Sequence, residues 1–388
     1  MNSLSEHERR IGSVAIPEEA NITAFDGPPG TGKTRRIVHH AAKDYGHMAV
    51  VTYTKDAAAI VRQRAPDVVS GTIYSLTWDY VKPFVDGRTS SIRNARSYTQ
   101  RKIHHILDPA LEQYRLDAPS LRAPNRLDEL AVKLHSWRDG KPPFNLNSET
   151  ATAQLKFALP MARWLEAGAP MPRSRRYDFI MIDESQDISW LELRATAALL
   201  NPGGEIWAFG DPGQAIFGAS KGMVGNALPP VWQCANSHTV IDKGYRVGDP
   251  VASVAANVLR SWYDRPASTF MAEHVTTIIP WDAQHPPRAG LVLGYSRNTV
   301  HKTFIKWGLT GIGIVPKVAA ADREMVRSTG HAAKGAEADD VYLLPWSRQA
   351  MNKLEGKDPA TLRLLYVMLT RARKRLHVPT TLKARLVL

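Results

Sequence analysis

The sequence contains a single cysteine, Cys234, among 388 residues. One thiol cannot close an internal disulfide, and it excludes a zinc or iron–sulfur centre held by several cysteines. The histidines show no ligand spacing: His39-His40 and His104-His105 are adjacent pairs, which point to different sides of a helix. Long apolar runs are missing too. No stretch approaches the roughly 18 apolar residues that a membrane span requires, and the opening MNSLSEHERR lacks the apolar centre of a signal peptide. The expectation is a chain that works inside a cell, in the cytoplasm, without contact to membranes. Internal repeats and low-complexity tracts are absent, so neither a repeat array nor a disordered polar tract is expected. Acidic residues are in the minority, 37 against 50 lysines and arginines, for a formal net charge of +13. That balance favours a polyanionic partner, although a basic surface can also serve solubility alone.

What is present describes an ordinary globular chain, 44% hydrophobic and 22% charged, long enough for two or three domains. From Asn21 to Thr72, strand and helix patterns alternate. Ile22 to Phe25 reads as a strand, followed by a glycine-rich turn and a helix from Gly32 to Tyr45, which Gly46 stops. Met48 to Tyr53 reads as a second strand and Lys55 to Arg64 as a second helix, ended by Pro66. Between Trp78 and Arg175, apolar residues recur at helical spacing (Ile103, Ile106, Leu107, Leu111) among scattered prolines and basic residues, which predicts a mostly helical insertion. Phe179 to Ile182 and Glu205 to Phe209 are short runs suited to buried parallel strands. A second α/β unit is expected after Asn236. Its strands are Gly290 to Leu293, Ile312 to Val315, Val341 to Leu344 and Leu376 to Val378, and its helices Thr299 to Trp307 and Pro359 to Arg373.

The strongest local signal is Gly27-Pro28-Pro29-Gly30-Thr31-Gly32-Lys33-Thr34, followed by Arg35. It matches G-x-x-x-x-G-K-[ST] between a strand and a helix, the context in which that spacing wraps phosphates. Glycines let the loop backbone turn its N–H groups onto phosphate oxygens, and the helix N-terminus adds a favourable dipole. Lys33 would reach the β- and γ-phosphates of ATP, and Thr34 would hold Mg²⁺. The acids that could complete such a site are Asp183 and Glu184, directly after the Phe179 to Ile182 strand. Asp183 would hold Mg²⁺ and Glu184 would act as general base on the attacking water. Two adjacent acids in this position also serve as plain helix caps; the phosphate loop upstream is what favours chemistry.

Further segments gain meaning as a set. Val51-Thr52-Tyr53-Thr54-Lys55-Asp56-Ala57-Ala58, Gly71-Thr72-Ile73-Tyr74-Ser75, Asp183 to Asp187, Gly210-Asp211-Pro212-Gly213-Gln214-Ala215-Ile216-Phe217, Gly244-Tyr245-Arg246, Thr329 to Glu337 and Leu365 to Ala372 follow the phosphate loop in order. Together they resemble motifs I, Ia, Ib and II to VI of the UvrD/Rep family of superfamily 1 helicases. The resemblance spans nearly the whole chain apart from the first twenty residues and the helical insertion. It implies an α/β protein of two RecA-like P-loop NTPase lobes with parallel sheets. The first lobe would comprise 1–77 and 176–235, with 78–175 as its insertion, and the second 236–388.

The resemblance also implies roles. Gln214 would sense the γ-phosphate, and Arg246 and Arg371 would reach across the cleft as arginine fingers. Tyr245 would stack on adenine, and Gly335 and Glu337 would line the nucleotide, Glu337 at the ribose. Thr52, Tyr53, Thr72, Tyr74, Phe217, Thr329 and His331 would touch a single strand of DNA, or of RNA. Hydroxyls and a histidine can hold phosphates without reading sequence, and aromatic rings can stack on bases; core packing is the competing role for each ring.

The pattern departs from the family in three places. No glutamine precedes Gln63, so the upstream adenine-reading glutamine is missing and weak base selectivity is expected. Gly218-Ala219-Ser220 stand where the family has a base-stacking tryptophan. Only Lys317 to Met325 separate Pro316 from Val326, where relatives carry a large mobile subdomain. The expected activity is ATP-dependent translocation or unwinding on single-stranded DNA, 3′→5′. The alternatives are a motor or switch subunit of a larger complex, with a partner protein supplying a nuclease or a grip on duplex, and a RecD-like 5′→3′ motor.

Overall fold

The computed structural model describes residues 20–43, 47–53, 55–84, 161, 164–165, 168–188, 190–216, 228–309, 324–384 and 386. Among these residues, twelve strands form two six-stranded sheets in which every recorded pairing is parallel. The first sheet runs in the order β3-β2-β4-β5-β1-β6. Its members are β1 (Asn21–Asp26), β2 (Met48–Thr52), β3 (Val69–Thr72), β4 (Tyr177–Ile182), β5 (Leu200–Gly210) and β6 (Ser237–Val240). The second runs β10-β9-β11-β12-β8-β7. It consists of β7 (Val247–Pro250), β8 (Met271–Trp281), β9 (Gly290–Gly294), β10 (Met325–Thr329), β11 (Ala338–Leu343) and β12 (Ala372–Pro379). Two sheets of this kind, each with its own core, are the two RecA-like lobes.

The central strands are apolar on both faces because helices cover both. Alternate residues of the first sheet enter two separate cores. Ala49, Val51, Ile180, Ile182, Ile206 and Ala208 pack with Ile73 and Val81 of α3 (Ile73–Val81) and with Leu193 of α4 (Trp190–Ala197). Met48, Val50, Phe179, Met181 and Phe209 face the other way, onto Ile37 and Ala41 of α1 (Lys33–Ala41) and Val61 of α2 (Lys55–Arg64). A short helix, α5 (Pro230–Cys234), closes the first face with Val231 and Trp232. In the second lobe, Leu291, Leu293, Val341, Leu343 and Leu376 pack against α6 (Val251–Leu259) and α9 (Pro359–Leu369). Val292 packs on the opposite face with Val300 and Phe304 of α7 (Arg297–Lys306). α8 (Arg348–Glu355) and α10 (Thr380–Lys383) complete the described helices. Each large aliphatic side chain so buried contributes roughly 1.5–3 kcal/mol.

Three sequence expectations are corrected. The boundary between lobes lies beyond 235, because Ser237–Val240 pairs with β1 as the edge of the first sheet. All four of its residues are exposed, so no apolar run marked it. The helix expected to reach Arg373 ends at Leu369, and β12 begins at Ala372. Thr370 turns the chain by donating its hydroxyl back to the Tyr366 and Val367 carbonyls, at 2.9 and 3.1 Å. Finally, Trp78 to Val81 belong to α3 of the first lobe rather than to an insertion. Residues 85–160 of the expected helical insertion and the strand Ile312 to Val315 lie outside the described residues. Among the described residues, no helix is long and apolar enough to cross a membrane.

Candidate functional site

The loop after β1 is held from both lobes. Gly27 N–H donates to the Gly210 carbonyl at the end of β5, 2.7 Å away, which fixes the root of the loop to the sheet. Pro28 and Pro29 are buried, and the Thr31 hydroxyl donates to the Pro28 carbonyl at 2.8 Å. Gly30 and Gly32 take positive φ, 79° and 75°, the left-handed region where a side chain is strained. Lys33 is buried, and its ammonium donates to the Gly27 carbonyl inside the loop. Burial lowers the pKa of Lys33, against the opposing pull of Glu184, Asp211 and Asp183. Arg35 is exposed on the first turn of α1. A Cβ on Gly27 would come within 2.6 Å of the Lys33 side chain, so glycine there keeps the lysine's path open.

The acids stand opposite that loop. Thr34 Oγ1 donates to Asp183 Oδ2 at 3.0 Å, which joins the two residues expected to hold Mg²⁺. Burial, and then the Glu184 charge, push the Asp183 carboxyl above its usual range. Glu184 sits in the left-handed region, φ 54° and ψ 40°, at the start of a short 3-10 turn. For a residue with a Cβ this costs on the order of 1–3 kcal/mol and persists only where surroundings enforce it. Burial acts to raise the Glu184 pKa. Lys334, Lys33 and the amide of Gln186 outweigh it, so the carboxyl lies well below the usual range. One buried lysine and a threonine–aspartate pair beside a glycine-containing loop at a helix N-terminus fit a nucleotide polyphosphate with a divalent cation.

The second lobe closes directly onto these groups. Lys334 pairs with Asp187 and, at 3.3 Å, with Glu184, and its ammonium also donates to the Gln214 carbonyl at 3.0 Å. Arg371 is fully buried, with Nη2 3.2 Å from Gln214 Oε1 and its Nε 2.9 Å from the Val367 carbonyl. Burial, and then the Arg246 charge, push its pKa down. Arg246 forms an ion pair of 2.5 Å with Glu337. Gly335, at φ 82°, turns the backbone between Lys334 and Glu337. Tyr245 N–H donates to the Gly30 carbonyl at 3.0 Å, while its ring is 63% exposed, with the Lys243 ammonium 5.5 Å from its centre. An exposed ring anchored by its own backbone to the phosphate loop is a ready stacking surface.

The contact between Gly30 and Arg246 makes a test. A Cβ on Gly30 would lie 2.4 Å from the Arg246 Cβ. Gly30→Ala therefore adds a clash between lobes to a left-handed backbone penalty of about 1–2 kcal/mol. The expected result is a folded chain whose KM for ATP rises about tenfold or more. Unchanged steady-state constants would mean that Arg246 does not press on the loop during turnover.

The expected nucleic-acid contacts are less uniform. Thr52 is buried, with Oγ1 turned toward the Gly71 carbonyl, and the Tyr74 hydroxyl donates to Glu192 Oε1 at 2.9 Å, tying α3 to α4. The Thr72 hydroxyl accepts from Ser75 N–H as the cap of α3. The Thr329 hydroxyl accepts from Ala332 N–H in the same way, and Thr329 is buried. Tyr53 is half-buried and His331 is exposed, at the ends of β2 and β10. Phe217 lies outside the described residues. The sequence reading missed Asp26, Asp211, Tyr263, Arg265, Lys334 and Tyr366, all of which form polar contacts across the lobes. Asp211, Lys334 and Tyr366 lay inside quoted motifs, so a signal existed. Arg265 and Tyr263 lie in none.

The AAA domain family matches residues 13–220. The chain is similar to the ATP-dependent DNA helicase srs2 of Schizosaccharomyces pombe, 22% identical over 334 residues. That match takes in 71% of this chain and 37% of the yeast protein, so the chain spans well under half of that relative's length. Similar solved structures include the Arterivirus nonstructural protein 10 helicase, with a TM-score of 0.46 and 16% identity over 95% of this chain and 63% of that one. The same viral protein in complex with DNA gives 0.46 and 14% over 97% and 66%.

Proposed function

The chain belongs to the AAA domain family, with the motif set of UvrD/Rep-like superfamily 1 helicases, and from that membership we propose that it is an ATP-driven motor that translocates on single-stranded DNA in the 3′→5′ direction. The observation that carries this reading is the seam between lobes. Arg371 and Lys334 of the second lobe are bonded to Gln214, Glu184 and Asp187 of the first. A nucleotide at the loop then touches both lobes, and its hydrolysis changes how firmly they close.

Each residue has a physical task. The loop N–H groups and Lys33 would hold the β- and γ-phosphates, and Thr34 with Asp183 would hold Mg²⁺, which would offset phosphate charge. Glu184 orients a water and accepts its proton. Lys334 beside it keeps the carboxyl ionised at neutral pH, ready to accept that proton. Gln214 and the two arginines would read the γ-phosphate, Gln214 and Arg371 as a bonded pair. Tyr245 stacks on the base, and no glutamine before Gln63 reads its edge. Tyr53, Thr72 and His331, at the ends of their strands, face the track; Thr52, Thr329 and Tyr74 support its walls.

The short link between Pro316 and Val326 leaves no room for a duplex-gripping subdomain there. The track is then short and mainly electrostatic. The isolated chain walks on single strands, and unwinding of long duplex depends on a partner protein. The test is ATPase rate with and without single-stranded DNA or RNA, followed by streptavidin and strand displacement. Single-stranded DNA should stimulate turnover, with affinity falling by about 0.7 log units per neutralised phosphate per log unit of salt. Streptavidin at a 3′-to-5′ track end should be displaced quickly, with little unwinding. Absence of stimulation by any single strand overturns the motor reading, and displacement only toward the opposite end overturns the polarity.

A further inference from the structure

Arg265 lies between α6 and β8 of the second lobe, in no recognised motif, and is 6% exposed. Its guanidinium spans two carboxylates of the first lobe. Nη2 donates to Asp26 Oδ1, one residue before the phosphate loop, and Nη1 donates to Asp211 Oδ1 at 3.0 Å. Both acids are buried, at 5% and 0% exposure. Two phenols from the second lobe finish the cluster: Tyr263 donates to Asp26 Oδ2, and Tyr366 donates to Asp211 Oδ2 at 3.1 Å. Arg265 Nη1 also lies 3.2 Å from the Tyr366 hydroxyl. The lobes approach closely here. A Cβ on Gly213 would lie 2.5 Å from Leu259 and 2.9 Å from Tyr366.

Asp211 continues the chain of bonds toward the γ-phosphate side. Its Oδ2 accepts from Gln214 Nε2 at 2.9 Å, which leaves Gln214 Oε1 facing Arg371 Nη2 at 3.2 Å. Its Oδ1 accepts from Gly213 N–H at 2.9 Å, fixing the turn that carries Gln214. The orientation of the amide is thus set by the same carboxylate that Arg265 holds. A misdocked arrangement would leave the guanidinium or a carboxylate buried without its partner, so the cluster favours one register of the lobes over loose ones.

Resting on the ATPase reading above, we propose that Arg265 is a positioning residue for hydrolysis: by bridging Asp26 and Asp211 from the second lobe, it sets Gln214 and Arg371 in register with the phosphate loop. A planar fork holds its N–H groups in fixed directions and so fixes two acids relative to each other, whereas a lysine ammonium with its three rotatable donors on a flexible stem sets no such geometry. Burial lowers the pKa of Arg265, but Asp211, Tyr366 and Asp26 outweigh it, which keeps the charge in place.

The test is a double-mutant cycle in kcat, with thermal melting and the Kd for a fluorescent ATP analogue measured on each protein. Arg265→Lys should lower kcat about ten- to a hundredfold and leave that Kd within about threefold. Because Arg265 acts through Arg371, adding Arg371→Ala should cost about tenfold less in the Arg265→Lys background than in wild type. A merely structural arginine would lower the melting temperature and leave the full Arg371→Ala effect in place. Asp26→Asn, which keeps the volume and one acceptor, carries the same cycle if Arg265→Lys does not fold. Arg260→Ala, whose guanidinium is exposed 4.0 Å from Asp264, should turn over within about twofold of wild type and serves as the control. Folded Arg265→Lys and Asp26→Asn proteins with wild-type kcat, or a full additive loss in the double mutant, overturn the inference. A wild-type chain that binds but never hydrolyses ATP overturns the proposed function instead.

Discussion

Replacing Glu184 with glutamine is expected to remove turnover while nucleotide binding survives. The amide keeps the size of the carboxylate and can still accept one hydrogen bond, but it cannot take a proton from water. General-base catalysis contributes about 10²–10⁴ in rate, and kcat should fall by that order. The side chain also carries charge that matters to its neighbours. Lys334 lies 3.3 Å from Glu184 and pairs with Asp187, so the glutamine removes one of its two carboxylate partners and leaves the other. The lobe contact through Lys334 should therefore persist, and the Kd for an ATP analogue should stay within about threefold. Lys33→Ala separates the two effects, since it removes a phosphate contact and should weaken binding as well as hydrolysis. Single-turnover hydrolysis and analogue titration on both proteins make the comparison. Substantial turnover by the Glu184→Gln protein would take Glu184 out of the chemistry and leave it as a cap with an unusual backbone.

The second large effect is expected at Arg371. Truncation to alanine should reduce kcat by about 10³–10⁵, the range of an arginine finger, with a much smaller change in ATP affinity. The side chain is fully buried and its guanidinium is already oriented by the Val367 and Ala336 carbonyls, Thr370 and Gln214. Little reorganisation is then required when charge develops on a transferred phosphoryl group, which is where preorganised donors act most strongly. Removing so large a buried side chain also leaves a cavity and unpaired carbonyls, so melting temperature must be measured beside the rates. Arg371→Lys keeps the charge but not the fork and should recover only part of the loss. A lowered melting temperature with kcat unchanged would make Arg371 a packing residue.

Much of the site was legible because its chemistry is local. The phosphate loop needs glycines, a lysine and a hydroxyl at fixed offsets between a strand and a helix, and Gly27 to Thr34 meet that need within eight consecutive positions. Asp183 and Glu184 were legible because they end a continuous apolar strand, Phe179 to Ile182, beside β2. The strands themselves were visible where burial on both faces demands unbroken apolar runs. They were invisible where exposure permits polar ones, as in Ser237–Val240. The roles of hydroxyls and rings were harder to read. Thr52 and Tyr74 have the right composition for a nucleic-acid contact, yet one faces the Gly71 carbonyl and the other bonds Glu192. A side chain's direction depends on what packs beside it, and composition holds no record of that.

By itself, the sequence determined the phosphate-loop pattern, the order of the motifs and the two-lobed α/β plan, since each follows from spacing within a few residues or from apolar periodicity. Only the tertiary structure decided which groups meet across the lobes. Lys334 meets Asp187 at a separation of 147 residues, Arg371 meets Gln214 at 157, and Arg265 meets Asp26 at 239. No local pattern marks such pairs. One arginine among 50 basic residues looks like any solvated charge until the sheets fold and take it out of water, and it is the loss of that water that makes a partner obligatory.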